Sequence, residues 1–119
     1  MPKVLLVDDE ALVRLTVAEV LEDSGFEVVE AESAPEAAEI LMSRNDVDAV
    51  LTDIRMPGAF DGMELARRVS ESWPRVKVLV MSGWSTSDPS TLPQSARFLR
   101  KPFESQVLTR ELAGLLSGR

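Results

Sequence analysis

Apolar residues fall in five short runs, Lys3–Val7, Glu27–Ala31, Ala49–Thr52, Val76–Met81 and Arg97–Arg100, which start roughly 21 to 27 residues apart. That interval suits successive strand–helix units. Runs one, three and four lack polar alternation, as expected of parallel strands covered on both faces. Runs two (EVVEA) and five (RFLRK) carry charge and suit the sheet edges. Between the runs the apolar period changes to that of a helix. Val13, Val17, Val20 and Leu21 form one stripe, with Gly25 placed to end it. Ser33 with Glu36, and Asp61 with Glu64, have capping-box spacing. Pro74 stops the third helix, and Val107, Leu108, Leu112 and Leu115 give the last helix its apolar face. The pattern predicts one doubly wound α/β domain over residues 1–119, with a five-stranded parallel sheet. One stretch breaks it. WSTSDPSTLPQSA, between strands four and five, is rich in Ser and Thr, and Pro93 would remove a backbone donor inside any helix there. A fourth helix that is shortened or irregular, or a plain loop, is expected.

Composition narrows the class. At 119 residues the chain has the length of one domain, and 45% hydrophobic content separates it from disordered chains. It has no cysteine and no histidine, so disulfides, thiolate metal sites and histidine chemistry are excluded. A net charge of −7 argues against unaided nucleic-acid binding, which depends on Lys and Arg neutralising phosphates. No apolar run approaches the ~20 residues that span a bilayer, and no signal peptide precedes strand one. A soluble, cytoplasmic protein without membrane partners is expected. The end just after the last helix fits a stand-alone protein and an excised domain equally, and oligomeric state is left open.

The chemistry lies where the strands stop. Asp8 and Asp9 leave strand one, Asp53 leaves strand three, Ser82 leaves strand four and Lys101 leaves strand five. In an open parallel sheet these carboxyl ends share one edge, where ligands bind. Each residue alone has a plainer explanation: an N-cap, a turn start or a strand exit. Their joint occurrence, in order and each after a strand, favours a shared pocket. Three crowded carboxylates repel unless a hard divalent cation joins them, and an all-oxygen site suits Mg²⁺. Lys101 adds a fixed positive charge and Ser82 a hydroxyl. Together they would hold a tetrahedral anion such as phosphoryl over Asp53, and carboxylates do accept phosphoryl groups as nucleophiles.

With VDDE, TDIRMP, MSG and LRKPF in this order, the chain resembles the receiver domain of two-component response regulators over nearly its whole length. The resemblance implies a chemotaxis-regulator-like fold with flavodoxin-like strand order 2-1-3-4-5. It implies phosphotransfer from a phosphohistidine on a sensor histidine kinase or histidine phosphotransferase to Asp53. It also implies Mg²⁺ held by Asp9, Asp53 and the backbone carbonyl of Arg55, with Asp8 assisting through water. Ser82 falls on the switch hydroxyl, Phe98 on the switch aromatic and Lys101 on the phosphate-pairing lysine, whose bond to Pro102 would be cis and would aim the amine at the pocket. Such a protein catalyses its own phosphorylation and dephosphorylation rather than turning over a substrate. Three departures bear on output: the unusual stretch between strands four and five, a MPGAFDG loop one residue longer than usual, and Phe98 in place of tyrosine. Two other readings stand beside this one. A non-phosphorylated docking module should have lost an acid, the hydroxyl or the lysine, and all are present. A small Mg²⁺-dependent aspartyl-phosphate phosphatase should carry Asp-x-Asp and a cap domain, and neither is present. A flavin binder is weaker still, lacking a phosphate loop after strand one.

Two finer expectations concern side chains around the pocket. Leu12 and Leu15 lie off the core stripe of helix one and are candidates for docking the helices that present the donor histidine. Arg55 and Trp84 follow Asp53 and Ser82 by two residues each, and are candidates for shielding the phosphoryl group from water.

Overall fold

The computed structural model describes residues 1–82, 93 and 96–117 of the chain. Five strands, β1 (Lys3–Val7), β2 (Glu27–Ala31), β3 (Ala49–Asp53), β4 (Lys77–Ser82) and β5 (Ala96–Arg100), form one sheet in the order β2-β1-β3-β4-β5. Every neighbouring pair is parallel, with Leu5 opposite Val29 and Val50, Leu51 opposite Leu79, and Val80 opposite Phe98. The winding reverses between β1 and β3, which puts the carboxyl ends of these two strands side by side. Strand boundaries differ from the sequence reading by one residue: backbone pairing runs on to Asp53 in β3 and Ser82 in β4 and starts at Ala96 in β5, while β4 begins at Lys77 rather than Val76. The charged strands β2 and β5 do lie at the two edges.

Four helices are described: α1 (Ala11–Asp23), α2 (Ala34–Ser43), α3 (Gly62–Ser72) and α4 (Ser105–Leu116). Alternate residues of each strand face opposite sides, so the sheet separates two apolar layers. Leu5, Val7, Val50, Val78 and Val80 pack with Ala37, Leu41, Leu65 and Val69 of α2 and α3. Leu6, Leu51, Leu79 and Met81 pack with Ala18 and Leu21 of α1 and with Leu108, Leu112 and Leu115 of α4. Both capping predictions hold at their cap bonds: Ser33 Oγ accepts from the Glu36 N–H at 3.2 Å, and Asp61 Oδ1 from the Glu64 N–H at 3.1 Å. Gly25 ends α1 at φ 95°, a region that side chains disfavour, while its N–H donates to the Glu22 carbonyl at 3.1 Å. The α1 stripe is rotated from its expected centre. Ala18 and Leu21 are the buried residues, whereas Val13, Val17 and Val20 are half-buried. The helix lies over β2 and β1, near the sheet edge, and Arg14 shares the half-buried flank. The expected irregular segment between β4 and β5 falls on residues 83–92, 94 and 95, outside the described residues.

Candidate functional site

Asp8 is the first residue past β1 and is fully buried, while Asp9 is exposed. Three bonds fix Asp8. Its N–H donates to the Ala31 carbonyl at 3.1 Å, its carbonyl accepts from Arg14 Nη1 at 2.8 Å, and its Oδ1 accepts from the Glu10 N–H at 2.9 Å. Its Oδ2 is buried without a partner among the described residues. Burial pushes the Asp8 carboxyl above its ordinary value, and the negative charges of Asp53 and Asp9 push the same way. The Glu10 N–H and the Lys101 ammonium oppose them. Asp8 is therefore a buried acid among acids, held in place with one carboxyl oxygen unpartnered among the described residues.

Asp53 ends β3 half-buried, and Lys101 Nζ lies 3.0 Å from its Oδ2. The lysine is placed by its own backbone. Its N–H donates to the Ser82 carbonyl at 2.7 Å, which continues the β4–β5 ladder, and the Lys101–Pro102 bond is cis. Ser82 ends β4 and is buried. Pairing also runs past Asp53, since the Ile54 N–H donates to Met81 O at 2.9 Å. The first residue of α3 closes over this backbone. The Gly62 N–H reaches Ile54 O at 2.9 Å, and a Cβ on Gly62 would stand 1.8 Å from the Asp53 carbonyl oxygen. That same carbonyl accepts from the Thr52 hydroxyl at 2.9 Å.

The structure thus brings Asp8, Asp53 and Lys101 into one electrostatic unit, with Asp9 and Ser82 at its border. Phe98 is half-buried in β5 and packs against the layer formed with α2 and α3. Arg55 is exposed and shares a recess of about 550 Å³ with Ile54, Met56, Pro57 and Asp61. Farther along this loop the Arg68 guanidinium lies 3.9 Å from the centre of the Phe60 ring and donates to Glu64 at 3.1 Å. Trp84 lies outside the described residues. Leu12 and Leu15 are 79% and 56% exposed on α1. Arg14, Thr52 and Gly62 are site-supporting residues that the sequence reading missed. Only Gly62 left a signal, as a poor helix former directly after the Asp61 cap.

The donor set fits an oxygen-ligated divalent cation: a buried unpartnered carboxylate oxygen, adjacent acids and backbone carbonyls are hard ligands. Among the described residues no three acidic side chains converge closely enough to hold a metal by themselves. A cation here would draw on carbonyl oxygen and water as well, the habit of Mg²⁺.

Comparison with known proteins agrees with this architecture. The family model of the response regulator receiver domain matches residues 4–113. The response regulator receiver protein CpdR of Brucella abortus is 33% identical over 119 residues, covering 98% of each chain. The sensor kinase CckA of the same organism is 36% identical over 117 residues, which is 95% of this chain and 12% of that protein. Among solved structures, a receiver domain protein of Clostridium thermocellum superposes with a TM-score of 0.91 at 29% identity, covering 98% of this chain and 95% of that one. The response regulator TrrA of Thermotoga maritima, solved in complex with Mg²⁺ and BeF, gives a TM-score of 0.85 at 31% identity, covering 97% and 99%.

Proposed function

Because the chain belongs to the response regulator receiver domain family of two-component systems, we propose that Asp53 is its phosphoacceptor and that the strand-end pocket is the whole of its chemical machinery. The observation that carries this reading is the Lys101–Asp53 contact of 3.0 Å beside the buried Asp8, whose Oδ2 has no partner among the described residues. A carboxylate oxygen of Asp53 attacks the phosphorus of a phosphohistidine. The N–P bond breaks as the O–P bond forms, and the imidazole leaves to pick up a proton from water. Asp8, Asp9 and the Arg55 carbonyl, with Asp53 itself, are the groups that would hold Mg²⁺. The metal would supply charge stabilisation for the phosphoryl oxygens during transfer. Lys101 exchanges its carboxylate partner for a phosphoryl oxygen, and the Ser82 hydroxyl donates to another. Phe98 repacks in response.

The donor is a sensor histidine kinase or a histidine phosphotransferase, and Leu12 and Leu15 form its docking contact. Arg55, with Trp84, limits the approach of water to the phosphoryl group. The domain spans residues 1–119, works in the cytoplasm and acts on itself, catalysing both gain and loss of the phosphoryl group. Among the described residues no helix is long and apolar enough to cross a membrane.

Intact mass spectrometry after incubation with acetyl phosphate and Mg²⁺ tests the reading. One phosphoryl adduct is expected on the native protein and none on Asp53→Asn. A native protein that stays unmodified would overturn it in favour of a fixed docking module.

A further inference from the structure

Arg14 joins three elements that meet behind the acids. It lies on α1, its Nη1 donates to the Asp8 carbonyl at 2.8 Å, and its Nε donates to Glu30 Oε1 on edge strand β2 at 2.9 Å. Its side chain is only 12% exposed, so this is not a solvated surface ion pair of the kind that contributes little. The bonded carbonyl belongs to the peptide linking Asp8 to Asp9, so the direction of that carbonyl sets where Asp9 begins. The N–H of Asp8 is tied to Ala31 on β2 as well. Two bonds from β2, one direct and one through Arg14, therefore hold the turn that carries both acids. Nothing in the pocket's own chemistry requires an arginine here, since this guanidinium is spent on a main-chain oxygen and a carboxylate outside the pocket.

We propose that Arg14 is a positioning residue that orients the Asp8–Asp9 turn for divalent-cation binding, with Glu30 as its anchor. This rests on the reading that the two acids help hold Mg²⁺. Groups that orient metal ligands from behind typically change affinity by 10–100-fold. A planar guanidinium serves both acceptors at once, whereas a lysine ammonium on the same stem is a single point of attachment. The helix that presents Leu12 and Leu15 to a partner thus also carries the tether of the acidic turn.

Mg²⁺ titration of the full chain by calorimetry tests this, using the native protein, Arg14→Ala, Arg14→Lys, Glu30→Ala and Asp9→Ala, each checked for its thermal melt. Arg14→Ala is expected to weaken Mg²⁺ binding roughly tenfold, with Arg14→Lys and Glu30→Ala in between. Its phosphorylation by acetyl phosphate should return close to the native rate once Mg²⁺ is raised to saturation, because no reacting atom has been touched. Native Mg²⁺ affinity in folded Arg14→Ala, beside lost binding in Asp9→Ala, would overturn the proposal and leave the acidic site intact. If Arg14→Ala does not fold, native affinity in both Arg14→Lys and Glu30→Ala overturns it equally. Undiminished binding in Asp9→Ala would instead overturn the reading on which the proposal stands.

Discussion

A buried carboxylate with one unpartnered oxygen is a destabilising residue unless something else needs it. Asp8 has that standing, with the charges of Asp53 and Asp9 adding to the effect of burial. Asp8→Asn keeps an oxygen to accept from the Glu10 N–H and removes the charge. In chelator at neutral pH it is expected to melt higher than the native protein, by about 1 kcal/mol in stability, and to lose the Mg²⁺-induced rise in melting temperature. Melts with and without Mg²⁺ check both halves, and a lower melting point in chelator would contradict the first. Glu64 shows the reverse balance at the surface. Arg67 and Arg68 hold its carboxyl down to about 2, below its ordinary 4.5. A lowered carboxyl contributes stability that is complete above the ordinary value and is lost as pH falls through the lowered one. The melting difference between native protein and Glu64→Gln should therefore be small at neutral pH, since these are exposed pairs, and be lost as the pH falls through and below about 2. Melts across that acid range read it directly, and a difference that grew toward acid would contradict the assignment.

Elements differ in how much of them local sequence can announce. Strand cores, the Ser33 and Asp61 caps and the Gly25 stop were legible because each is decided within a few residues by burial, a side-chain acceptor or a backbone angle. The gathering of Asp8, Asp53 and Lys101 at the strand ends was legible for a related reason: each directly follows an apolar run, so one topological rule brings them together. Arg14 was not, because its partners, Asp8 just past β1 and Glu30 on β2, are close only after α1 has docked. The turn of α1 itself was misplaced for the same cause, since valines at helical spacing do not tell which of them faces a sheet edge. The tight seat of α3 on β3 also needed the folded backbone. There Gly62 tolerates no side chain, with a Cβ only 1.8 Å from the Asp53 carbonyl oxygen. Gly62→Ala must push α3 or the end of β3 aside, which is expected to cost about 1–3 kcal/mol. It should also slow acetyl-phosphate labelling of Asp53 in protein that remains folded. Denaturant titration and intact-mass time courses measure the two effects, and native behaviour in both would show that the close approach is not kept in solution.

On the scale of the whole molecule, the proposed reading separates the encounter with a donor protein from the reaction itself. Leu12 and Leu15 are exposed on α1, while the acids and Lys101 lie at the strand ends. Replacing both leucines with serine removes apolar surface that is not in the core. It is expected to leave stability within about 0.5 kcal/mol and labelling by acetyl phosphate unchanged. Transfer from a phosphohistidine donor should fall about tenfold or more, in line with the loss of apolar anchors at an interface. Equal loss with both phosphodonors would argue against docking.

The sheet also acts as an acoustic wall. Among the described residues its two apolar layers share no helix: α2 and α3 belong to one side, α1 and α4 to the other. Phe98 packs into the first side, whereas Phe103, five residues later, packs into the second. The Phe98 repacking proposed above would be felt in the layer that holds α2 and α3, across the sheet from α1 and its outward leucines.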